Sequence, residues 1–140
     1  MGAGVKRAAV AALLVGACTT LTPEAHAVSQ SVTAKCAKAD FSGEFKLSYD
    51  TGAGFYRLKA GRGGAGPYIG DSGSMNVKVN YREGGTTNNA VNRTKSGLKS
   101  DEVGEVPVNG TSVPSTSRAW VEVKFSDSSG VRCTARKNLI

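Results

Sequence analysis

Residues 117–137 read SRAWVEVKFSDSSGVRCTARK, and their alternation decides the fold class. Val121, Val123 and Phe125 recur at every second position, with Trp120, Glu122 and Lys124 between them. A period of two belongs to a β-strand with one face in the core and one in solvent. Asp127 and Gly130 then occupy the first and fourth places of a turn, which suits a type I turn with a glycine bulge. The register set by that turn puts Phe125 opposite Cys133 and Val123 opposite Ala135 on the core face. On the other face it puts Glu122 opposite Arg136 and Lys124 opposite Thr134. A slip of two residues would keep the faces but oppose Lys124 to Arg132, and like charges across strands repel.

The same period recurs upstream. Residues 32–37 form a short first strand carrying Cys36. In residues 41–49, Phe41, Phe45, Leu47 and Tyr49 share one face, with Glu44, Lys46 and Ser48 opposite. Residues 50–54 are a turn, and residues 55–60 return with Tyr56 and Leu58 inward. In residues 74–82, Met75, Val77, Val79 and Tyr81 alternate with Asn76, Lys78, Asn80 and Arg82. Residues 105–114, EVPVNGTSVP, read as a hairpin on Asn109-Gly110, placed at a sheet edge by Pro107 and Pro114. Residues 83–102 are polar and rich in Gly and Asn without a sustained period: a functional loop, a disordered one, or a strand that the pattern does not reveal. No window carries a long amphipathic helix.

The fold class is therefore all-β: a small antiparallel β-sandwich, Greek-key and immunoglobulin-like in architecture, with one disulfide joining the first and last strands. The specific immunoglobulin signature is absent, since Trp120 stands 13 residues before the second cysteine instead of about 15 after the first.

The chain opens with a positive Lys6-Arg7, an apolar run over residues 8–17, Pro23, and the A-x-A site Ala25-His26-Ala27. These are the parts of a secretory signal peptide spanning residues 1–27. The apolar run falls short of the ~20 residues that span a bilayer. The alternative is a lipoprotein anchored through Cys18, because Val15-Gly16-Ala17-Cys18 resembles a lipobox. The Ala-rich leader and the Gly/Thr/Ser-rich body resemble a small exported protein of a high-GC Gram-positive bacterium. Residues 28–140 then form one secreted domain, read as a monomer.

Removing the leader takes away the only histidine, His26. Ser-His-Asp and Cys-His catalysis, histidine base catalysis and the usual zinc sites go with it, and no cofactor or metal is expected. Cys36 and Cys133 remain, and an even pair in an exported chain reads as a disulfide. The charge falls from +7 to +6, with 16 basic and 10 acidic residues left. Such an excess favours anionic partners, among them cell-wall polymers and acidic polysaccharide, or it serves solubility.

Three features raise the question of a site. GRGGAG, residues 61–66, has the G-x-G-x-x-G spacing of a dinucleotide loop. However, Pro67-Tyr68-Ile69-Gly70 follows where a helix must hold the pyrophosphate, and no P-loop lysine follows either. The segment reads as a flexible connection, or as a loop whose bare amides, with Arg62 and Tyr68, meet an anion or a sugar. Trp120 falls on the polar face with Glu122, Lys124 and, across the register, Arg136. If open, it is a sugar platform; otherwise the tail at residues 137–140 covers it or Arg136 stacks on it. Asp101, Glu102, Glu105 and Glu122 are the carboxylates from which a small hydrolase would be built. The expected function is a secreted, non-enzymatic binding module for a cell-surface, polysaccharide or protein partner, with no specific nucleic acid and no transmembrane segment. The alternatives are a carboxylate-dependent hydrolase and an inhibitory or structural protein.

Overall fold

A computed structural model describes residues 27–68 and 72–140. Residues 1–26 of the leader, with Cys18 and His26, and residues 69–71 lie outside the described residues. Nine strands follow in order: β1 (Val28–Lys38), β2 (Phe41–Gly52), β3 (Phe55–Gly66), β4 (Gly73–Glu83), β5 (Thr86–Leu98), β6 (Gly104–Val106), β7 (Ser112–Pro114), β8 (Arg118–Asp127) and β9 (Arg132–Asn138). They form two antiparallel sheets. One has the order β1-β2-β3-β6, with β7 also paired to β3; the other has the order β5-β4-β8-β9. The inward positions of both sheets merge into one hydrophobic core that includes Phe45, Leu47, Tyr49, Leu58, Met75, Val77, Val121, Val123 and Phe125, all buried. Each such side chain contributes about 1.5–3 kcal/mol of transfer free energy.

The likeness to an immunoglobulin domain is one of architecture, two antiparallel sheets closed over one core. The first three strands stay together in one sheet because tight turns join them. At Ala53-Gly54 both residues have positive φ (53° and 81°), the backbone of a two-residue hairpin turn. The second sheet then receives β4 and β5, the chain returns to pair with β3, and β8 and β9 complete the second sheet.

The closing hairpin has the expected register: Phe125 pairs with Cys133, Val123 with Ala135, Glu122 with Arg136 and Lys124 with Thr134. Asp127 fixes the turn. Its Oδ1 accepts the amides of Ser129 at 2.9 Å and Val131 at 3.1 Å, and the Ser129 hydroxyl at 2.6 Å. Cys36 and Cys133 are bonded, with Cα atoms 5.8 Å apart, linking β1 to β9 across the two sheets. Cys36 pairs in register with Gly43 and Cys133 with Phe125. The Phe125 ring lies over Gly43, where a Cβ would stand 2.4 Å from Cδ2 of that ring. The small residue thus lets the two sheets close at the staple.

Two expectations are corrected, and one of the alternatives left open for residues 83–102 is selected. GRGGAG is strand, not connection: β3 runs unbroken through Gly66, pairing with β2 from Ser42 to Gly52. A bulge leaves Lys59 unpaired between Leu58 and Ala60, which reverses the alternation and turns Gly61, Gly63 and Ala65 inward. Residues 83–102 contain the whole of β5, which follows β4 through a turn at Gly84-Gly85, both at positive φ. The second correction concerns residues 105–114. β6 and β7 do not pair with each other but lie end to end along β3, against residues 61–63 and 55–57 respectively. Asn109-Gly110 is an excursion from one interrupted edge strand. Pro107 and Pro114 do lie along that edge, as their missing N–H requires.

Candidate functional site

The outward faces of the two sheets differ in charge. On the first sheet, outward residues of β1, β2 and β3 mix signs, and some of them pair. Lys35 lies 3.4 Å from Glu44, Lys59 lies 3.3 Å from Asp50, and Arg62 bonds Glu105 across to β6. These are the ion pairs among the described residues, and all three involve the first sheet. A groove of about 740 Å³ crosses this face, bordered by Lys35, Glu44, Lys46, Arg62, Asp101 and Val103, with Gly64 in its floor.

The glycines of residues 61–66 are required by packing. At Gly61 and Gly63 a Cβ would stand 2.7 Å from atoms of the Phe45 ring, and at Gly64 it would stand 2.5 Å from the carbonyl oxygen of Glu102. The aromatic ring covers the two inward glycines, and the loop that carries Glu102 crosses the outward one. Their backbone belongs to the ladder with β2. At residues 61–63 the strand is paired on its other side as well, to β6. Arg62 and Tyr68 are not brought together. Arg62 is outward and ion-paired, whereas Tyr68 packs against Phe41 with ring centroids 5.6 Å apart. The Tyr68 hydroxyl is buried with no hydrogen-bond partner among the described residues. Burial, and then the carboxylates of Asp127, Asp101 and Glu102, raise its pKa above the ordinary tyrosine value.

The carboxylates noted in the sequence are spread out. Glu102 accepts the Lys99 amide at 2.8 Å, Glu105 holds Arg62, and Glu122 lies on the other sheet.

That second sheet brings together what the sequence scatters. β4, β8 and β9 are neighbours, with β8 in the middle. Val77, Val79, Val121, Val123 and Ala135 face the core, so the alternate positions face out. Outward stand Lys78 and Arg82 on β4, Arg118 and Lys124 on β8, and Arg132 and Arg136 on β9. Among the described residues of this face they are six cations around one carboxylate, Glu122. Glu122 is directly opposite both Lys78 and Arg136, yet none of the six cations makes an ion pair among the described residues. From Ser126, opposite Arg132, to Arg118 is eight residues, or about 27 Å of strand at ~3.4 Å per residue. Asparagine fills the gaps: Asn76 donates to Asn92 Oδ1 at 3.0 Å and to Thr94 Oγ1 at 2.9 Å, and Asn89 donates to Asn80 at 2.8 Å.

No family model, curated protein or solved structure matches the chain.

Trp120 sits within this face, opposite Asn80 on one side and Asn138 on the other. It is not an open platform. The ring is 7% exposed, because the Arg136 guanidinium lies over it, 4.5 Å from the centroid. Arg136 is on β9, two residues before the direct partner of Trp120, and so reaches the ring along the diagonal. Of the residues singled out from the sequence, the structure gathers Trp120, Glu122, Lys124 and Arg136 on this one face. It leaves Arg62 and Tyr68 elsewhere. Sequence reasoning missed Lys78, Arg82, Arg118 and Arg132. Their alternation was visible strand by strand, but the adjacency of β4 to β8 was not.

Proposed function

We propose that the chain is an exported, non-enzymatic binding module that holds an anionic polymer of a cell surface on the outer face of β4, β8 and β9. The observation that carries this reading is the group of six cations, unpaired among the described residues, around a single carboxylate. Of the net +6 on residues 28–140, this face accounts for +5 and leaves the rest of the molecule nearly neutral. Charge needed only for solubility has no reason to collect on one face. Charge meant for a partner does, because the summed field steers an anion and raises its local concentration. The cations stand on a sheet whose two central strands are paired on both sides, so little backbone order remains to be lost on binding. The leader read at residues 1–27 and the Cys36–Cys133 bond both suit an oxidising, extracellular setting. The hydrolase and inhibitor alternatives have no observation of this weight behind them.

The test is retention of the mature chain on an immobilised polyanion such as dextran sulfate. Binding at low salt should fall steeply as the Debye length shrinks from ~10 Å at 0.1 M to ~3 Å at 1 M. Flow-through at low salt would return the charge to solubility.

A further inference from the structure

We infer that Arg136, stacked on Trp120, is the anchoring residue of the cationic face, and that it takes the phosphodiester oxyanions of a polyol or sugar polymer. The inference rests on the binding reading above and adds the residue and the ligand chemistry.

The central carbon of the Arg136 guanidinium lies over the indole, 4.5 Å from the ring centroid. Among the described residues it makes no hydrogen bond or ion pair, although Glu122 is its direct cross-strand partner. A guanidinium carries five N–H donors in its plane and no acceptor. Its place over the ring leaves these donors without a partner among the described residues. It also confines a side chain that otherwise keeps much rotamer freedom, so less entropy is lost when an oxyanion arrives. The result is a fork, fixed in direction, that matches two oxygens of one anionic group.

The composition of the face points to phosphate over carboxylate. Four of its six cations are arginine, Arg82, Arg118, Arg132 and Arg136. Among the ten other basic residues of 28–140, only three are arginine, namely Arg57, Arg62 and Arg93. Arginine is the residue suited to bidentate phosphate contacts, where lysine acts as a point charge. The flanking outward positions on β9 are Thr134 and Asn138, which suit the hydroxyls of a polyol. The face offers no open aromatic ring, since Trp120 is covered. Single-stranded nucleic acid depends on such rings for base stacking, so the same face disfavours it.

Trp120 is the only tryptophan, so its emission reports on the Arg136 stack alone. The experiment titrates the mature chain with purified poly(glycerol phosphate), following Trp120 emission and binding together, for wild type, Arg136→Lys and Arg82→Lys. Each substitution keeps the charge and removes one fork, and only the first touches the indole. Polygalacturonate serves as the carboxylate polymer and oligo(dT) as the nucleic acid. Expected are an emission change on adding poly(glycerol phosphate), about a tenfold loss of its affinity in Arg136→Lys, and a loss of about threefold or less in Arg82→Lys. Polygalacturonate and oligo(dT) should bind more weakly and move the emission less. Equal losses in the two variants would overturn Arg136 as the anchor while leaving the cationic face intact. Tighter binding of polygalacturonate or oligo(dT) would overturn the phosphodiester assignment. If the wild type binds none of the three polymers, the binding reading itself fails.

Discussion

Trp120 shows how a single residue changes meaning between sequence and structure. Alternation sends it to the outer face, and it does lie there, opposite Asn80 and Asn138. What alternation does not convey is that β9 brings Arg136 onto the ring. The indole is thus a packing surface for an arginine, and at 7% exposure it should emit to the blue and resist quenching by iodide. Trp120→Ala should cost about 3 kcal/mol in chemical denaturation, at the lower end for a buried aromatic. Red-shifted, readily quenched emission would mean that the ring is open in solution. Two tyrosines make a pH prediction at the same scale. Burial raises the pKa of Tyr49, opposed by the Ile140 amide that donates to its hydroxyl oxygen at 2.9 Å, and burial with nearby carboxylates raises that of Tyr68. A raised folded pKa means that the neutral hydroxyl is favoured in the fold. The stability it contributes is complete below the unfolded value of about 10 and is lost as pH rises through the folded one. Melting temperatures should therefore fall above about pH 10, and less steeply in Tyr49→Phe. An unchanged slope in that variant would show that Tyr49 ionises as freely folded as unfolded.

At the scale of elements, legibility depended on whether inward positions were apolar. β2, β4, β8 and β9 alternate cleanly and could be read, the last pair with its register. β5 could not, because Arg93 and Lys95 stand opposite Val77 and Met75 on the inward side of an edge strand, and Ala90 is an extra residue at a bulge. Inward charge and bulges are how edge strands avoid pairing with other chains, and they erase the period that would reveal the strand. β3 was half legible. Its glycines look like a loop until the Phe45 ring and the Glu102 carbonyl are found in the space where side chains would be. The disulfide could be read by elimination, and it binds the first strand to the last across 97 residues of sequence. By the loop-closure argument it stabilises by up to ~4.7 kcal/mol. Alkylation of the native, unreduced mature chain should find no free thiol, and Cys133→Ser should lower the melting temperature markedly. Two reactive thiols, or an unmoved melting temperature, would remove the staple from the account of stability.

Across the whole molecule the decisive property is the segregation of charge, which arises from topology. Residues 74–82, 118–126 and 132–138 are far apart or separately placed in the chain, and their basic residues look scattered. The crossing of β4 to pair with β8, and of β8 with β9, sets them side by side. Ion pairs form on the first sheet, whose charges are of both signs, while among the described residues the six cations of the second sheet's face make none. Retention of two charge-reversed proteins on the same polyanion at low salt separates this arrangement from net charge alone. Lys124→Glu/Arg132→Glu alters the second sheet, and Lys35→Glu/Lys46→Glu alters the first by the same four units. Both pairs of side chains are solvent-facing, so both proteins should fold, which far-ultraviolet circular dichroism would verify. A functional cationic face predicts that the first protein elutes near the void while the second elutes close to wild type. Equal loss in the two would contradict it, showing that the polymer responds to total charge and that the face has no special part in binding.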